Sequence, residues 1–476
     1  MNNSDYRKHD GLDFARMLCE KEVTPLELMD CAIDRAEQIN PKINALCNAN
    51  YQQARETARA ATLKGHFGAL PFLLKDSGLG YPALTNSLGS RLFEGTEINF
   101  NSTLTSRFLD DGLVPFARTT VPEFSMAPTT EAIQNGGPTR NPWDLARSTG
   151  GSSGGAAAAI AAGIVPLAHA SDGGGSIRIP ASCCGIYGLK PSRGLVPTGP
   201  ARGEGWGGLA TDGVLSRSVR DTAAALDGIA GMEIGAPYAA PPKRGAYLEN
   251  LDKPFARPLR IATWKVGFED IPVHEDCIAA LITAKTLLES MGHEVVESPL
   301  PPIQFSKFVE AQINVMAANV TVSVNGKVRN NLGSGWEQKL EPAILDAYQR
   351  GKTLSAETYA LAITRFHTIG RQLENYLQDF DFILTPTLMQ PPAELGAINM
   401  DDDFFSFRTK ISRYATFLAI INASGQPAAS VPLHWSSSDL PIGVQLIAPF
   451  GAEDSLLRLS ARLEEALPWF GKLPAI

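Results

Sequence analysis

At 476 residues, 44% hydrophobic and 19% charged, the chain has the make-up of a folded globular protein, with no run of like charge that would hold a segment disordered. A formal net charge of −8 argues against nucleic acid or an anionic membrane surface as a partner, because neither is attracted to an acidic protein. The first residues, MNNSDYRKHDGLDFARML, scatter charge where a signal peptide needs an apolar run, and the weakly polar stretch 156–170 is broken by Gly163, Pro166 and His169, so a cytoplasmic protein without a membrane span is expected.

The first helix is announced at Thr24-Pro25-Leu26-Glu27, a capping box with proline at the first helical position, and runs on through Leu28, Cys31, Ala32 and Ile39 at helical spacing. GALPFLLKDSG (68–78) follows, an apolar run ending in Lys75. RSTGGSSGG (147–155) reads as a loop, preceded by the turn-rich RNPWDLARSTG (140–150) and followed by a short alanine-rich helix. The strand-like IVPLAHA (164–170) then leads into SDGGGSIRIPASCCGIYGLKPSRG (171–194). After a proline-rich surface connection at about 235–258, LRIATW (259–264) reads as a buried strand. Cys277, Leu281, Ala284, Leu288 and Met291 form a helical stripe ended by Gly292, and HEVVES (293–298), FILTPT (382–387) and IGVQLIA (442–448) complete the strands. The alternation of strand and helix argues for an α/β architecture with a mixed sheet. Residues 68–220, rich in glycine and serine and poor in long helices, are where binding and catalytic groups are expected.

Several chemistries compete for that region. Gly151-Ser-Ser-Gly-Gly155 matches a nucleophile elbow around Ser153, but an elbow follows an apolar strand, and none of His169, His274, His293, His367 or His434 stands in a motif suggesting a triad partner. Gly203-x-Gly205-x-x-Gly208 formally fits a dinucleotide fingerprint, yet it follows GLVPTGPAR (194–202) and not a strand. With no phosphate loop, no paired metal-ligating histidines and no C-x-x-C among the six cysteines, no cofactor and no metal are expected, and the thiols read as reduced and mostly buried. Another reading joins distant pieces. Three successive glycine N–H groups before Ser176 form a concavity suited to an oxyanion, and a buried Lys75 would lose its proton readily enough to serve as a base, although a strand-end lysine reaching solvent fits the same pattern.

LPFLLKD, NPWDLARSTGGSSGGAAAAIAAG, SDGGGSIRIPASCCGIYGLKPSRG, GVLSRSVRDTAAALDGIAG and ASGQPAASVPLHWSSSDLPIGVQLIA, in that order, resemble the amidase signature family, with Ser152 and Ser176 at the family's spacing of 24 residues. The resemblance runs from the first helix to the last residues and is weakest over about 231–379. It implies one large α/β domain across 1–476, with a mixed central sheet covered by helices on both sides, a signature core at about 68–220 and a more variable substrate-loop region at about 231–379. It also implies a serine hydrolase in which Ser176 is the nucleophile, Ser152 a bridging serine behind a cis peptide, and Lys75 the base. The backbone N–H groups of Gly173, Gly174, Gly175 and Ser176 would hold the oxyanion, and Ser153, Asp172 and Arg178 would support the loop. Many members carry a β-branched residue where this chain has Gly173, so a looser or wider oxyanion turn is expected. RNPWDLARSTGGSSGG, NASGQPA and ALPW are similar to the branch of the family that contains the 6-aminohexanoate cyclic-dimer hydrolase.

The expected partner is a small-molecule amide, small or medium and apolar, aromatic, oligomeric or a carbamate, with Trp206, Phe404, Phe405 and Phe407 as walls unless these rings pack in the core. Two rivals stand beside the free amidase: the glutaminase subunit of a tRNA-dependent amidotransferase, and a non-catalytic binding protein that keeps the fold. A homodimer is carried as an expectation without sequence support of its own.

Overall fold

A computed structural model describes residues 3–329 and 334–476. In chain order, β1 (Leu46–Cys47), β2 (Leu70–Lys75) and β3 (Leu113–Thr119) form a small sheet with β3 in the middle, parallel to β2 and antiparallel to β1. β4 (Arg140–Asn141) and β5 (Asp144–Ser148) pair as a hairpin. The main sheet comprises β6 (Leu167–Asp172), β7 (Tyr187–Lys190), β8 (Thr211–Ser216), β9 (Arg260–Thr263), β10 (Glu294–Glu297), β11 (Phe382–Pro386), β12 (Ala428–Trp435) and β13 (Pro441–Ile447). Its order is β10-β9-β11-β13-β12-β7-β8-β6, parallel across β10, β9 and β11 and antiparallel from there to β6. The chain is therefore a single-domain α/β protein with a large mixed sheet.

Successive strand side chains point to opposite faces, and here they feed two separate cores. Phe382 and Leu384 of β11 and Leu446 of β13 pack in one, with the helices Pro25–Ile43, Glu275–Ser290 and Glu453–Ala466. Ile383 of β11 and Ile447 of β13 pack in the other, with Phe305–Val328, Ala356–Tyr376 and Phe404–Tyr414. Continuous apolar runs such as 382–384 are what a strand buried on both faces requires.

Local signals act as the sequence suggests, except that the helix capped at Thr24 is not the first, since the helix Gly11–Cys19 precedes it. Thr24 Oγ1 accepts the N–H of Glu27 at 3.2 Å while Glu27 accepts that of Thr24 at 2.8 Å, and the helix Glu275–Ser290 stops two residues before Gly292, whose φ is +86°. Residues 140–150 depart from the loop expected there, because Asn141 Nδ2 donates to Ser148 O at 3.1 Å and to Cys183 O at 2.8 Å, pulling the segment into the β4–β5 hairpin. None of the six cysteines forms a disulfide; Cys183, Cys184 and Cys277 are buried, but Cys19 is exposed. Among the described residues no helix is long and apolar enough to cross a membrane.

Candidate active site

The site is assembled where β2 comes to lie beside β6. Lys75 is the last residue of β2, behind the fully buried Leu70–Leu74 run, and is itself 0% exposed. Its Nζ donates to Ser152 Oγ at 2.8 Å, to Ser171 Oγ at 2.9 Å and to Ser171 O at 3.3 Å. Burial lowers its pKa to about 7; the carboxylates of Asp212 and Asp172 oppose that fall, and the Arg202 guanidinium adds to it. Beneath the lysine, His169 Nδ1 accepts the Lys75 backbone N–H at 3.2 Å, which leaves the proton on Nε2, 3.2 Å from Asp212 Oδ1. Burial holds this imidazole below its ordinary pKa despite Asp212, so it is neutral.

The serine-glycine stretch runs under the lysine. The Gly151–Ser152 peptide is cis, and Gly150 has φ +72°, a conformation that glycine adopts without cost. A Cβ on Gly154 would stand 2.2 Å from Thr130 Oγ1, so the helix Gly154–Ala161 packs closely only because a glycine opens it. Ser153 is buried; its Oγ donates to Ser171 O at 3.2 Å and its N–H to Ser176 O at 3.3 Å. It cannot stand out as an elbow nucleophile.

Ser176 lies between β6 and the helix Arg178–Cys184, and at 8% exposure its hydroxyl has no hydrogen-bond partner among the described residues. The turn before it is tied down by Asp172. Arg178 Nε and Nη2 each donate to this carboxylate at 2.9 Å, Asn422 Nδ2 donates at 2.9 Å and the Gly175 N–H at 2.7 Å. Burial alone would raise this carboxyl's pKa, but the Arg178 charge and hydrogen bonds win and hold it well below the usual carboxylate range. Arg178 also donates to Gln445 Oε1 and Asn422 Oδ1, both at 2.7 Å.

Three expectations change. The Gly175 N–H is spent on Asp172, so the donors left free in the turn are those of Gly173, Gly174 and Ser176. The turn is not widened at Gly173, because Trp206 carbons lie 2.5 Å from where a Cβ would stand: the indole fills the space. Phe404 and Phe407 are core residues, and Phe405, 47% exposed, lies against Arg350 at the surface; helical geometry sends positions 404 and 407 inward and 405 out. The loop 203–208, with its glycine spacing, carries Trp206 to this turn. Sequence reasoning missed Ser171, His169 with Asp212, Asn422 and Gln445, although Asn422 lies in the NASGQPA phrase.

A model of the amidase family matches residues 27–457, and the chain belongs to that family. It is an amide hydrolase. It is 30% identical over 482 residues, 98% of this chain and 96% of the relative, to the 6-aminohexanoate-cyclic-dimer hydrolase of Pseudomonas sp. (strain NK87). A solved 6-aminohexanoate cyclic dimer hydrolase complexed with substrate superposes with a TM-score of 0.93 at 29% identity, over 98% of this chain and 99% of that one. A bacterial aryl acylamidase of the amidase signature family gives 0.86 at 25% identity, over 97% of both chains.

Two outcomes follow from this geometry. Lys75, with a pKa of about 7 folded and about 10.4 unfolded, leaves the unfolded chain holding the extra proton between those values, so its cost to stability is largest at low pH and shrinks as pH rises through that window. Lys75→Met therefore raises Tm more at about pH 6.5 than at about pH 9.5; a difference from wild type that is the same at both would show the amine is not depressed. Gly173→Val, which drives a methyl into Trp206, lowers Tm and activity, and adding Trp206→Ala restores part of both. Strictly additive losses in the double variant would mean the two positions do not share that space.

Proposed function

We propose that this amidase cleaves its substrate through an acyl-enzyme on Ser176. The carrying observation is a fully buried lysine with a pKa near neutrality, 2.8 Å from the Ser152 hydroxyl. Neutral Lys75 takes the Ser152 proton as Ser152 takes that of Ser176, and the Ser176 oxygen attacks the amide carbonyl. The Gly173, Gly174 and Ser176 N–H groups stabilise the oxygen that gains charge, where one such donor is typically worth about a hundredfold or more in rate. The proton returns through Ser152 to the leaving amine nitrogen, the C–N bond breaks, and water, deprotonated by the same relay, releases the acid. Lys190 is no rival base: burial brings it to about 7 as well, but its Nζ donates to Pro191 O at 2.8 Å and to no serine among the described residues.

The substrate is an amide of modest size that presents an apolar face to Trp206. Similarity to a 6-aminohexanoate-cyclic-dimer hydrolase and to an aryl acylamidase supports a linear or cyclic amide over glutamine held in a tRNA-dependent complex. Residues 68–220 act as the catalytic core, and 231–379 supply the substrate-facing helices.

Fluorophosphonate labelling followed by peptide mass spectrometry tests the assignment. One adduct on Ser176 is expected, with labelling slowed by about a thousandfold in Lys75→Ala and by a comparable factor in Ser152→Ala, since members of one relay are not additive. An adduct on Ser153, or labelling indifferent to Lys75, would overturn it.

A further inference from the structure

The three glycines before Ser176 do not face equivalent surroundings. A Cβ on Gly173 would meet Trp206 at 2.5 Å, and one on Gly175 would meet Leu418 at 2.7 Å and Ile179 at 2.9 Å. Gly174 is different: within 4 Å its Cβ would meet only Gln312 Nε2 at 3.3 Å and Ala419 Cβ at 3.7 Å. The turn is walled by apolar side chains on two sides, and on the third its nearest polar neighbour is a side-chain amide.

That amide has been left with a donor to spare. Gln312, on the helix Phe305–Val328, is 2% exposed, and its Nε2 has no hydrogen-bond partner among the described residues. Its orientation is fixed from behind, because Arg408 Nη2 donates to Gln312 Oε1 at 3.1 Å and a guanidinium can only donate. Arg408 is buried on the helix Phe404–Tyr414; its Nη1 donates to Met126 O at 2.9 Å, its Nε is unpartnered, and no carboxylate pairs with it among the described residues. Two buried donors and an unneutralised charge are costly to retain unless something polar completes them. The positive guanidinium also withdraws electron density through Oε1 and strengthens the Nε2–H donor.

We propose that Gln312 is a substrate-binding residue whose Nε2–H donates to a second carbonyl oxygen of a diamide or oligoamide, while the reacting carbonyl lies over the turn 173–176. Nε2 stands 3.3 Å from the position a Gly174 Cβ would take, a side-chain donor beside the turn and separate from its backbone N–H groups. Arg408 is a positioning residue acting through Gln312. A monoamide leaves the donor bare and a diamide satisfies it, which makes the pair a device for selecting substrates with two amide groups. This inference rests on Ser176 as the nucleophile.

The test uses chromogenic anilides of ω-carbamoyl acids with two to six methylenes, each compared with the plain acyl anilide of equal chain length. Wild type is expected to prefer at least one carbamoyl member in kcat/KM. Gln312→Leu should reduce that preference about threefold to tenfold, the range of one neutral hydrogen bond, mainly through KM. Arg408→Met should reduce it similarly, and the double variant should lose no more than either alone. Fluorophosphonate labelling of Ser176 and Tm in each variant show that the site is intact. A preference that survives Gln312→Leu with labelling retained overturns the proposal, as does a wild type with no preference. Failure of Ser176 to label in wild type would instead overturn the assignment of the nucleophile.

Discussion

The arrangement depends on one balance, that between burying the amine of Lys75 and keeping it hydrogen-bonded. In water a lysine at neutral pH is an ammonium with no lone pair to take a proton. The Leu70–Leu74 run removes that water, and three oxygens from Ser152 and Ser171 keep the amine from being orphaned. The Asp212 and Asp172 charges stop the pKa from falling further, so the group titrates at about 7. Lys190 shows that burial alone does not make a base, since the same fall there leads only to a backbone carbonyl. What distinguishes Lys75 is the Ser152 hydroxyl 2.8 Å from its amine.

The second constraint is the Asp172–Arg178 pair, which holds the turn presenting Ser176. Removing one partner of a buried ion pair typically costs about 3–5 kcal/mol, because the other charge is left uncompensated. Here the pair is completed by Asn422 and Gln445, so β6, β13 and the helix Ala419–Ser424 converge on one ion pair. The same carboxylate removes the Gly175 N–H from the donors available to substrate. Rigidity and oxyanion binding thus draw on one set of backbone groups, and the side-chain donor on Gln312 lies beside the turn that has given one up.

Much of this was legible in the chain because the signals are local. The apolar strands at 259–264 and 382–387, the capping box at Thr24 and the stop at Gly292 each depend on neighbours in sequence. Lys75 stood out because an apolar run ends on it and Ser176 because three glycines precede it, whereas Ser152 was placed by the resemblance to the amidase signature family. Ser171, His169 and Gln312 were not legible, since their partners lie far away in sequence: His169 is defined by Lys75 and Asp212, and Gln312 by Arg408, 96 residues on. Phe404, Phe405 and Phe407 looked like one cluster, yet a helix sends neighbours to different sides, and Trp206 alone of the predicted walls reached the turn.

The most direct test of the central claim is the pH dependence of kcat/KM in wild type and in Asp212→Asn, which keeps an acceptor for His169 but removes a charge that favours the Lys75 ammonium. Wild-type activity should rise with pH through about 7 as Lys75 loses its proton, and in Asp212→Asn that rise should move to lower pH. A rise that stays in place or moves upward in the variant, or a wild-type profile flat through neutrality, would contradict a buried Lys75 as the base.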